Sequence, residues 1–278
     1  MDGTEFIKMH GLGNDFVIID ARQGAPGLMP RALAPDAVRA LADRRRGIGF
    51  DQLIVIEAPS EPGADAAFTI HNADGGEVEA CGNASRCVAG LIMAETGADS
   101  VRLDTKAGRL QASRAGAGRI RVDMGEPAFD WRRIPLAAQA DTLCLDLSAG
   151  ALSAPSAVSM GNPHAVFFVD DAEAVDLAAL GPGLEHDPMF PERANICVVT
   201  VLGRTRLRVR VWERGAGLTQ ACGTGACAAA VSAARRGLAE RRIEAVLDGG
   251  TLEIDWRADN HVDMTGPFAT SFRGRLPA

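Results

Sequence analysis

Long apolar runs, an excess of basic residues and a leader of the secretory type are all missing from this sequence. Charged and polar residues interrupt every apolar stretch well before the roughly 20 residues that a membrane-spanning helix needs. The N-terminus is acidic, and no basic region followed by an apolar region comes after it, which argues against export. The net charge of -7 argues against a nucleic-acid-binding surface, because such surfaces are basic. These absences predict a cytoplasmic protein that binds a small molecule rather than nucleic acid or a membrane.

Lysine is also scarce, and Lys8 and Lys106 are the only two in the chain. Pyridoxal phosphate enzymes need a lysine that forms a Schiff base with the cofactor. Lys8 falls within a predicted strand and Lys106 within a turn, and neither has a phosphate-binding sequence beside it. The sequence therefore argues against pyridoxal phosphate chemistry.

The six cysteines lack the spacing of a metal site or a disulfide framework. Cys81 and Cys87 are too far apart for a CxxC motif, as are Cys222 and Cys227, and no histidine stands beside either pair at ligand spacing. Disulfide frameworks belong mostly to small secreted domains, whereas this chain of 278 residues, 47% of them hydrophobic, can bury a real core. We expect free thiols and no metal.

Alternating and short apolar runs predict a sheet-rich protein with few helices. In the first half, predicted strands cover residues 5–10, 16–19, 51–57, 66–71, 101–103, 108–113 and 119–124, and a helix covers 35–44. In the second half, predicted strands cover 158–160, 165–169, 196–202 and 205–212, and a helix covers 224–236.

An internal repeat connects the two halves. The motif Ala80–Asn83 (ACGN) matches Ala221–Thr224 (ACGT), and each is followed by a helical run of small residues that stops at a glycine, Gly97 or Gly237. We therefore predict an α/β protein of the α+β type with two similar, pseudo-symmetric domains. Each is a mostly antiparallel sheet wrapped around a central helix, and the active site lies in the cleft between them. The predicted domains are 1–123 with Cys81 and 124–266 with Cys222, and residues 267–278 are a segment that can return to the first.

Cys81 and Cys222 both stand immediately before a predicted helix. The free N–H groups and positive dipole end of a helix favour a thiolate, so we expect a lowered pKa for both thiols. A lone cysteine in this position more often packs in the core, but its duplication favours catalysis. Packing in the core is the prediction for the remaining cysteines, Cys87, Cys144, Cys197 and Cys227.

Two matched thiols suit a reaction that removes a proton from one face of a carbon and returns one to the other, which is racemisation or epimerisation. A glycine follows each thiol, Gly82 and Gly223, and lets a ligand approach the backbone closely. The N–H groups of Asn83 and Thr224 can then hold a substrate carboxylate.

Six sequence blocks in order along the chain resemble those of the diaminopimelate epimerase family: Met9–Phe16, Asn72–Gly75, Ala80–Asn83, Gly161–His164, Glu192–Asn195 and Trp212–Gly215 with its continuation to Gly225. The resemblance implies conversion of LL-2,6-diaminopimelate to the meso form, in lysine and cell-wall precursor synthesis, by a homodimer without cofactor or metal. The implied substrate contacts are Asn14, Gln52, Asn72, Gly82, Asn83, Asn162, Asn195, Glu213, Arg214, Gly223 and Thr224.

The chemistry of these residues suits a substrate with two amino-acid ends. Arg214 can bind a carboxylate with two parallel hydrogen bonds, Glu213 can accept from an ammonium group, and the amides offer both donors and acceptors. Catalytic roles are expected for Cys81, Cys222, Glu213 and His164. For His164 a structural role stays open beside one in setting which cysteine is ionised.

The sequence departs from the family pattern at a few positions, and three rival functions stay open. Leu218 stands where the family generally has glutamate, and Ala84 and Ser85 replace the usual Gly-Ala before Arg86. One rival is a racemase of the same fold that acts on another amino acid, such as proline or histidine. A second is a relative of the phenazine-synthesis branch, although both thiols are kept. A third is a redox sensor that switches through Cys81 and Cys222.

Overall fold

The computed structural model describes residues 3–23, 34–59, 61–79, 81–116 and 118–276. Of the predicted features, Ala80 of the first cysteine motif and residues 277–278 of the last segment lie outside the described residues. The chain forms two compact units, one of Met1–Val122 with Gly266–Ala278 and the other of Asp123–Thr265. No helix in the described part of the chain is long and apolar enough to cross a membrane.

The first unit is a mostly antiparallel sheet with two helices. Its elements are β1 (Glu5–Gly11), β2 (Asn14–Asp20), α1 (Pro35–Ala42), β3 (Gln52–Glu57), β4 (Ala66–Asn72), β5 (Glu77–Val78), α2 (Gly82–Thr96), β6 (Ser100–Thr105), β7 (Gly108–Arg114), β8 (Arg119–Asp123) and β19 (Ala269–Arg275). Strand β19, near the end of the chain, pairs with β1. The β1–β2 hairpin was predicted, and Leu12 and Gly13 at its tip both take positive φ, as a two-residue type I′ turn requires.

The second unit has the same kind of sheet with two further helices. Its elements are β9 (Ser148–Ala149), β10 (Leu152–Ser153), β11 (Ser156–Ser159), β12 (Pro163–Phe168), α3 (Leu177–Glu185), β13 (Asn195–Gly203), β14 (Arg206–Glu213), β15 (Gly217–Thr219), α4 (Gly223–Arg235), β16 (Arg242–Leu247), β17 (Gly250–Trp256) and β18 (Val262–Pro267).

The two units repeat one topology, as the paired cysteine motifs predicted. In the first, β2 runs parallel to β3 and β4 runs parallel to β6, with the short β5 and the helix α2 between β4 and β6 in the chain. In the second, β12 runs parallel to β13 and β14 runs parallel to β16, with the short β15 and α4 in the same places. The other strand pairs described are antiparallel, so the predicted fold class is confirmed.

Small side chains allow α2 and α4 to be buried along most of their length. A Cβ on Gly90 of α2 would lie 2.3 Å from the ring of Phe268, so the glycine lets the last segment of the chain pack on this helix. Both helices end at the predicted glycines, Gly97 with φ 73° and Gly237 with φ 70°, in the left-handed conformation that closes a helix.

Two local predictions were wrong. Helix α1 ends at Ala42 rather than at residue 44, because Asp43 leaves the helical conformation and its carboxylate accepts hydrogen bonds from the N–H groups of Arg45 and Arg46. Cys144 is exposed and lies in an irregular segment, whereas packing in the core was predicted for it.

Helix α3 was not predicted, because its sequence contains Gly181, Pro182 and Gly183. Tertiary packing explains why residue 181 is a glycine. A Cβ on Gly181 would lie 2.5 Å from the indole ring of Trp212, whereas at Gly183 it would have no neighbouring atom within 4 Å in the described chain.

The two glycines of α3 provide a matched test of this packing. We expect Gly181→Ala to lower the free energy of unfolding by about 1–3 kcal/mol, because the new methyl group displaces the half-buried indole. Gly183→Ala should be neutral or stabilise by about 0.4–1 kcal/mol through the unfolded chain. Chemical denaturation of both variants measures the difference, and equal stabilities would contradict the packing described for Trp212.

Candidate active site

Cys81 and Cys222 occupy the same position at the start of the two central helices. Each is the N-cap residue in an extended conformation, with φ -147° and ψ 109° at Cys81 and φ -116° and ψ 111° at Cys222. Each thiol therefore lies beside backbone N–H groups that have no partner within the helix. Cys81 is half-buried and Cys222 is buried.

Around Cys81, the structure brings together three of the predicted site residues. The side-chain oxygen of Asn14 accepts a hydrogen bond from Nδ2 of Asn83 at 3.1 Å and lies 3.8 Å from Sγ of Cys81. The buried guanidinium of Arg86 donates to Oδ1 of Asn83 at 2.9 Å and to the carbonyl of Pro267 at 3.3 Å. Arg86 thus orients the amide beside the thiol.

Asn14 is held from its other side by a charged network that the sequence did not reveal. Its Nδ2 donates to Asp51 at 2.9 Å, and Arg44 donates to the carboxylates of both Asp51 and Asp15. Burial alone would raise the pKa of Asp15, but hydrogen bonds from Arg44 and Lys8 hold it well below its usual range. The Asp15 carboxylate is therefore ionised at neutral pH. The network of Asp15, Asp51 and Arg44 fixes the start of β2 beside Cys81.

Gln52 and Asn72 are paired directly across strands β3 and β4. Nε2 of Gln52 donates to Oδ1 of Asn72 at 2.9 Å. Oε1 of Gln52 is buried and has no hydrogen-bond partner among the described residues. An unsatisfied acceptor of this kind is rare in a folded protein and is suited to a donor group on a ligand.

Cys222 contacts two groups of its own helix. Its Sγ accepts a hydrogen bond from the N–H of Gly225 at 3.4 Å and lies 3.6 Å from Oγ1 of Thr224. The Thr224 hydroxyl in turn accepts from Nδ2 of Asn162 at 3.4 Å. Thr224 and Asn162, both predicted substrate contacts, are thus connected to the thiol.

The expected lowering of the Cys222 pKa is wrong for the structure described. Burial raises the pKa of the thiol well above its usual value, and the Glu213 carboxylate raises it further. Hydrogen bonds from Thr224 and Gly225 act in the opposite direction but do not outweigh these effects. Cys222 is therefore a protonated thiol at neutral pH in this state.

His164 lies in β12, where it is fully buried. Nε2 of its ring lies 2.9 Å from Oδ1 of Asn162, and Nδ1 lies 3.7 Å from Sγ of Cys197. Burial and the nearby Arg214 charge lower the pKa of His164 to about 3. The ring is neutral at physiological pH and is held between an amide and a thiol.

Glu213, Arg214 and Asn195 meet where β14 ends and β13 begins. The Asn195 side chain accepts from the backbone N–H of Arg214 at 2.9 Å and donates to the carbonyl of Pro163 at 3.1 Å. Nη1 of Arg214 donates to the carbonyl of Glu192 at 2.9 Å, and Glu213 accepts from the hydroxyl of Thr219. Leu218, where the family generally has glutamate, is exposed in β15 opposite Trp212.

Glu185 is a supporting residue that the sequence did not reveal. It is the last residue of α3 and is buried, and its carboxylate accepts from Nε1 of Trp212 at 2.8 Å and from the N–H of Gly215 at 2.9 Å. These two hydrogen bonds hold the chain on both sides of Glu213 and Arg214. Because α3 itself was not predicted, nothing in the local sequence pointed to this role.

No group of three or more His, Cys, Asp or Glu residues in the described segments is arranged to hold a metal ion.

Comparisons with known proteins extend over nearly the whole chain. A family described as "Diaminopimelate epimerase" matches residues 6–129 and 156–270. Proteins named diaminopimelate epimerase from Rhodospirillum centenum and Erythrobacter litoralis are 54% and 55% identical to this chain; both alignments cover 98% of it and 91% and 96% of the relative. The solved structure of a hydroxyproline epimerase from Agrobacterium vitis has a TM-score of 0.68 at 15% identity, covering 99% of this chain and 94% of the other. That structural likeness extends to the fold alone.

Proposed function

Because the chain belongs to the diaminopimelate epimerase family, we propose that it converts LL-2,6-diaminopimelate to the meso form with Cys81 and Cys222 as its acid and base. The enzyme is an isomerase whose product serves lysine biosynthesis. The mechanism rests on one observation, the identical N-cap placement of the two thiols in two units of the same topology. Inversion at carbon needs a base on one face and an acid on the other, and the chain provides one thiol from each repeat.

The protonation of Cys222 assigns the roles in the state described. Cys222 carries a proton and is the acid, because burial and Glu213 raise its pKa. The base is then Cys81 as a thiolate. It takes the proton of the substrate α-carbon, and the electron pair of the broken C–H bond is delocalised onto the adjacent carboxylate. Cys222 delivers its proton to the other face, which leaves Cys81 as a thiol and Cys222 as a thiolate.

Backbone N–H groups hold the carboxylate of the reacting end in this proposal. Those of Gly82 and Asn83 begin α2, and those of Gly223 and Thr224 begin α4. A helix N-terminus favours an anion through its free N–H groups and its dipole. The same groups stabilise the extra negative charge that the carboxylate gains when the α-proton leaves.

The second amino-acid end is recognised by side chains. We assign its carboxylate to the guanidinium of Arg214, which Glu192 holds in place, and its ammonium group to Glu213. Further polar contacts are assigned to the amides Asn14, Gln52, Asn72, Asn162 and Asn195. The unpartnered Oε1 of Gln52 supports this assignment, because it can accept from a substrate N–H.

Activity on diaminopimelate tests the proposal directly. The purified protein should interconvert the LL and meso isomers and should leave L-proline and L-histidine unchanged. Racemisation of either of those amino acids with no activity on diaminopimelate would favour the rival substrate, which the comparisons do not support. Response to oxidants without turnover of any amino acid would favour the redox sensor.

Thiol labelling tests the protonation of Cys222. Only the thiolate reacts, so the labelling rate at Cys222 should rise about tenfold per pH unit from pH 7 through pH 9 without levelling. Glu213→Gln removes a negative charge that raises the pKa, so labelling of Cys222 at a given pH should become faster. Peptide mapping follows each site, and the exposed Cys144 serves as an internal reference. A rate that levels off below pH 8 would contradict the raised pKa.

A homodimer in the cytoplasm is also part of the proposal. The homodimer is inferred from the family resemblance. The cytoplasmic location is inferred from a reaction that makes a lysine precursor. Light scattering of the purified protein should give twice the mass of the 29.1 kDa chain. Fractionation of the source cells should place the activity with cytoplasmic markers.

A further inference from the structure

The polar contacts around Cys222 extend beyond the residues that the family resemblance implies. Cys197 in β13 is fully buried, and its Sγ lies 3.7 Å from Nδ1 of His164 and 3.8 Å from the carbonyl oxygen of Gly225. The sequence predicted that this cysteine only packs in the core. Its contacts instead connect it to the histidine that faces Asn162.

We propose that a one-directional hydrogen-bond relay aims the Thr224 hydroxyl proton at Sγ of Cys222, with Cys197 as its outermost positioning residue. The relay runs from Cys197 through His164, Asn162 and Thr224 to Cys222. Its effect on catalysis rests on the proposed function, since it acts on the thiol assigned as acid.

The direction of the relay follows from the amide of Asn162. Its nitrogen faces the Thr224 hydroxyl at 3.4 Å, so the oxygen of that hydroxyl accepts and its proton is free to be donated. The amide oxygen faces Nε2 of His164 at 2.9 Å and can only accept, so Nε2 carries the ring proton. Nδ1 is then an acceptor buried in the core.

Cys197 satisfies that buried acceptor. Burial raises the pKa of its thiol, so the sulfur keeps its proton. The other acceptor within reach, the Gly225 carbonyl, lies in the first turn of α4 and can accept from the N–H four residues later. We therefore assign the thiol proton to Nδ1 of His164, where no other described residue makes a hydrogen bond.

The consequence concerns the thiolate that forms when Cys222 has given up its proton. Two donors then face the sulfur, the N–H of Gly225 and the hydroxyl of Thr224. If the relay ran the other way, the Thr224 proton would be committed to Asn162 and would not reach the sulfur. The tautomer of His164 therefore reports the direction of every bond in the relay.

Nitrogen NMR of the full chain labelled with ¹⁵N-histidine measures that tautomer without substrate. At pH 7 we expect a neutral His164 ring with its proton on Nε2, identified by the loss of its signals in His164→Gln. A proton on Nδ1 would overturn the proposal. The measurement is valid whether or not the chain acts on diaminopimelate, so failure of the relay and failure of the proposed function are distinguishable.

Substitution of Cys197 tests its place in the relay. Cys197→Ala should mix the two tautomers and lower kcat roughly 3- to 10-fold, the value of one neutral hydrogen bond, with little change in KM. Cys197→Ser keeps a donor and should restore both the Nε2 tautomer and most of kcat. Cys87→Ala removes an equally buried thiol from the first unit and is the matched control.

Substitution at the inner end gives a second test. Thr224→Val should lower kcat, because the hydroxyl is the donor to sulfur and the backbone N–H is unchanged. Thr224→Ser returns a hydroxyl and should recover most of the kcat lost in Thr224→Val. The role of Cys197 would be overturned if Cys197→Ala kept the wild-type tautomer of His164 and had the same kcat as Cys87→Ala. If Cys197→Ala fails to fold, the His164 tautomer in the wild type and in Cys197→Ser still tests the direction of the relay.

Discussion

Replacement of either Cys81 or Cys222 by alanine is expected to reduce epimerisation at least a thousandfold. A positioned acid or base typically contributes about 10²- to 10⁴-fold, and here each variant loses one of the two groups that inversion requires. Serine at either position should retain only a trace of activity, because a hydroxyl is a poor base at neutral pH. The assay is formation of meso-diaminopimelate from the LL isomer.

These variants need two controls, a measurement of folding and the removal of an unrelated thiol. Circular dichroism and thermal unfolding should show that Cys81→Ala and Cys222→Ala remain folded. Cys87→Ala, which removes a buried thiol that has no assigned role, should keep most of the activity. Near-native turnover by either alanine variant would contradict the two-thiol mechanism.

Arg214→Lys is expected to lower kcat/KM for diaminopimelate roughly 10- to 100-fold, which corresponds to the loss of a charge-assisted hydrogen bond. The guanidinium is fixed by its bond to the Glu192 carbonyl and presents its remaining donors as a planar fork. An ammonium group on a flexible stem reproduces the charge but not the paired geometry.

A matched substitution separates this effect from a general cost of exchanging arginine for lysine. Arg204 is exposed and pairs with Glu240 at the surface, so Arg204→Lys should leave kcat/KM unchanged. If Arg214→Lys stays within a few-fold of the wild type, the carboxylate of the second substrate end is bound elsewhere.

The sequence was informative where a pattern repeats or a local rule is strong. The two cysteine motifs predicted two units of one topology, and the glycines after each helix predicted where the helices end. Alternating apolar residues located most strands within two residues of their bounds. These features depend on contacts between neighbours in the chain or on duplicated segments, and both are visible in the sequence alone.

The sequence was less informative where distant residues decide the outcome. Helix α3 forms despite Gly181, Pro182 and Gly183 because it packs against Trp212. The position of Cys222 before a helix suggested a lowered pKa, but burial and the approach of Glu213 dominate. Glu185 and Cys197 support the site only through contacts with residues far from them in sequence. Such contacts leave no local pattern.

Isotope exchange during turnover tests the central claim that two separate groups move the protons. In D₂O, each thiol exchanges its proton with solvent before substrate binds, so the acid delivers deuterium while the base removes protium. At low conversion of LL-diaminopimelate, the account predicts one deuterium at the inverted α-carbon of nearly every meso product and little deuterium in the recovered substrate. Product that retains its original protium, or substrate that gains deuterium as fast as product forms, would show that one group both takes and returns the proton.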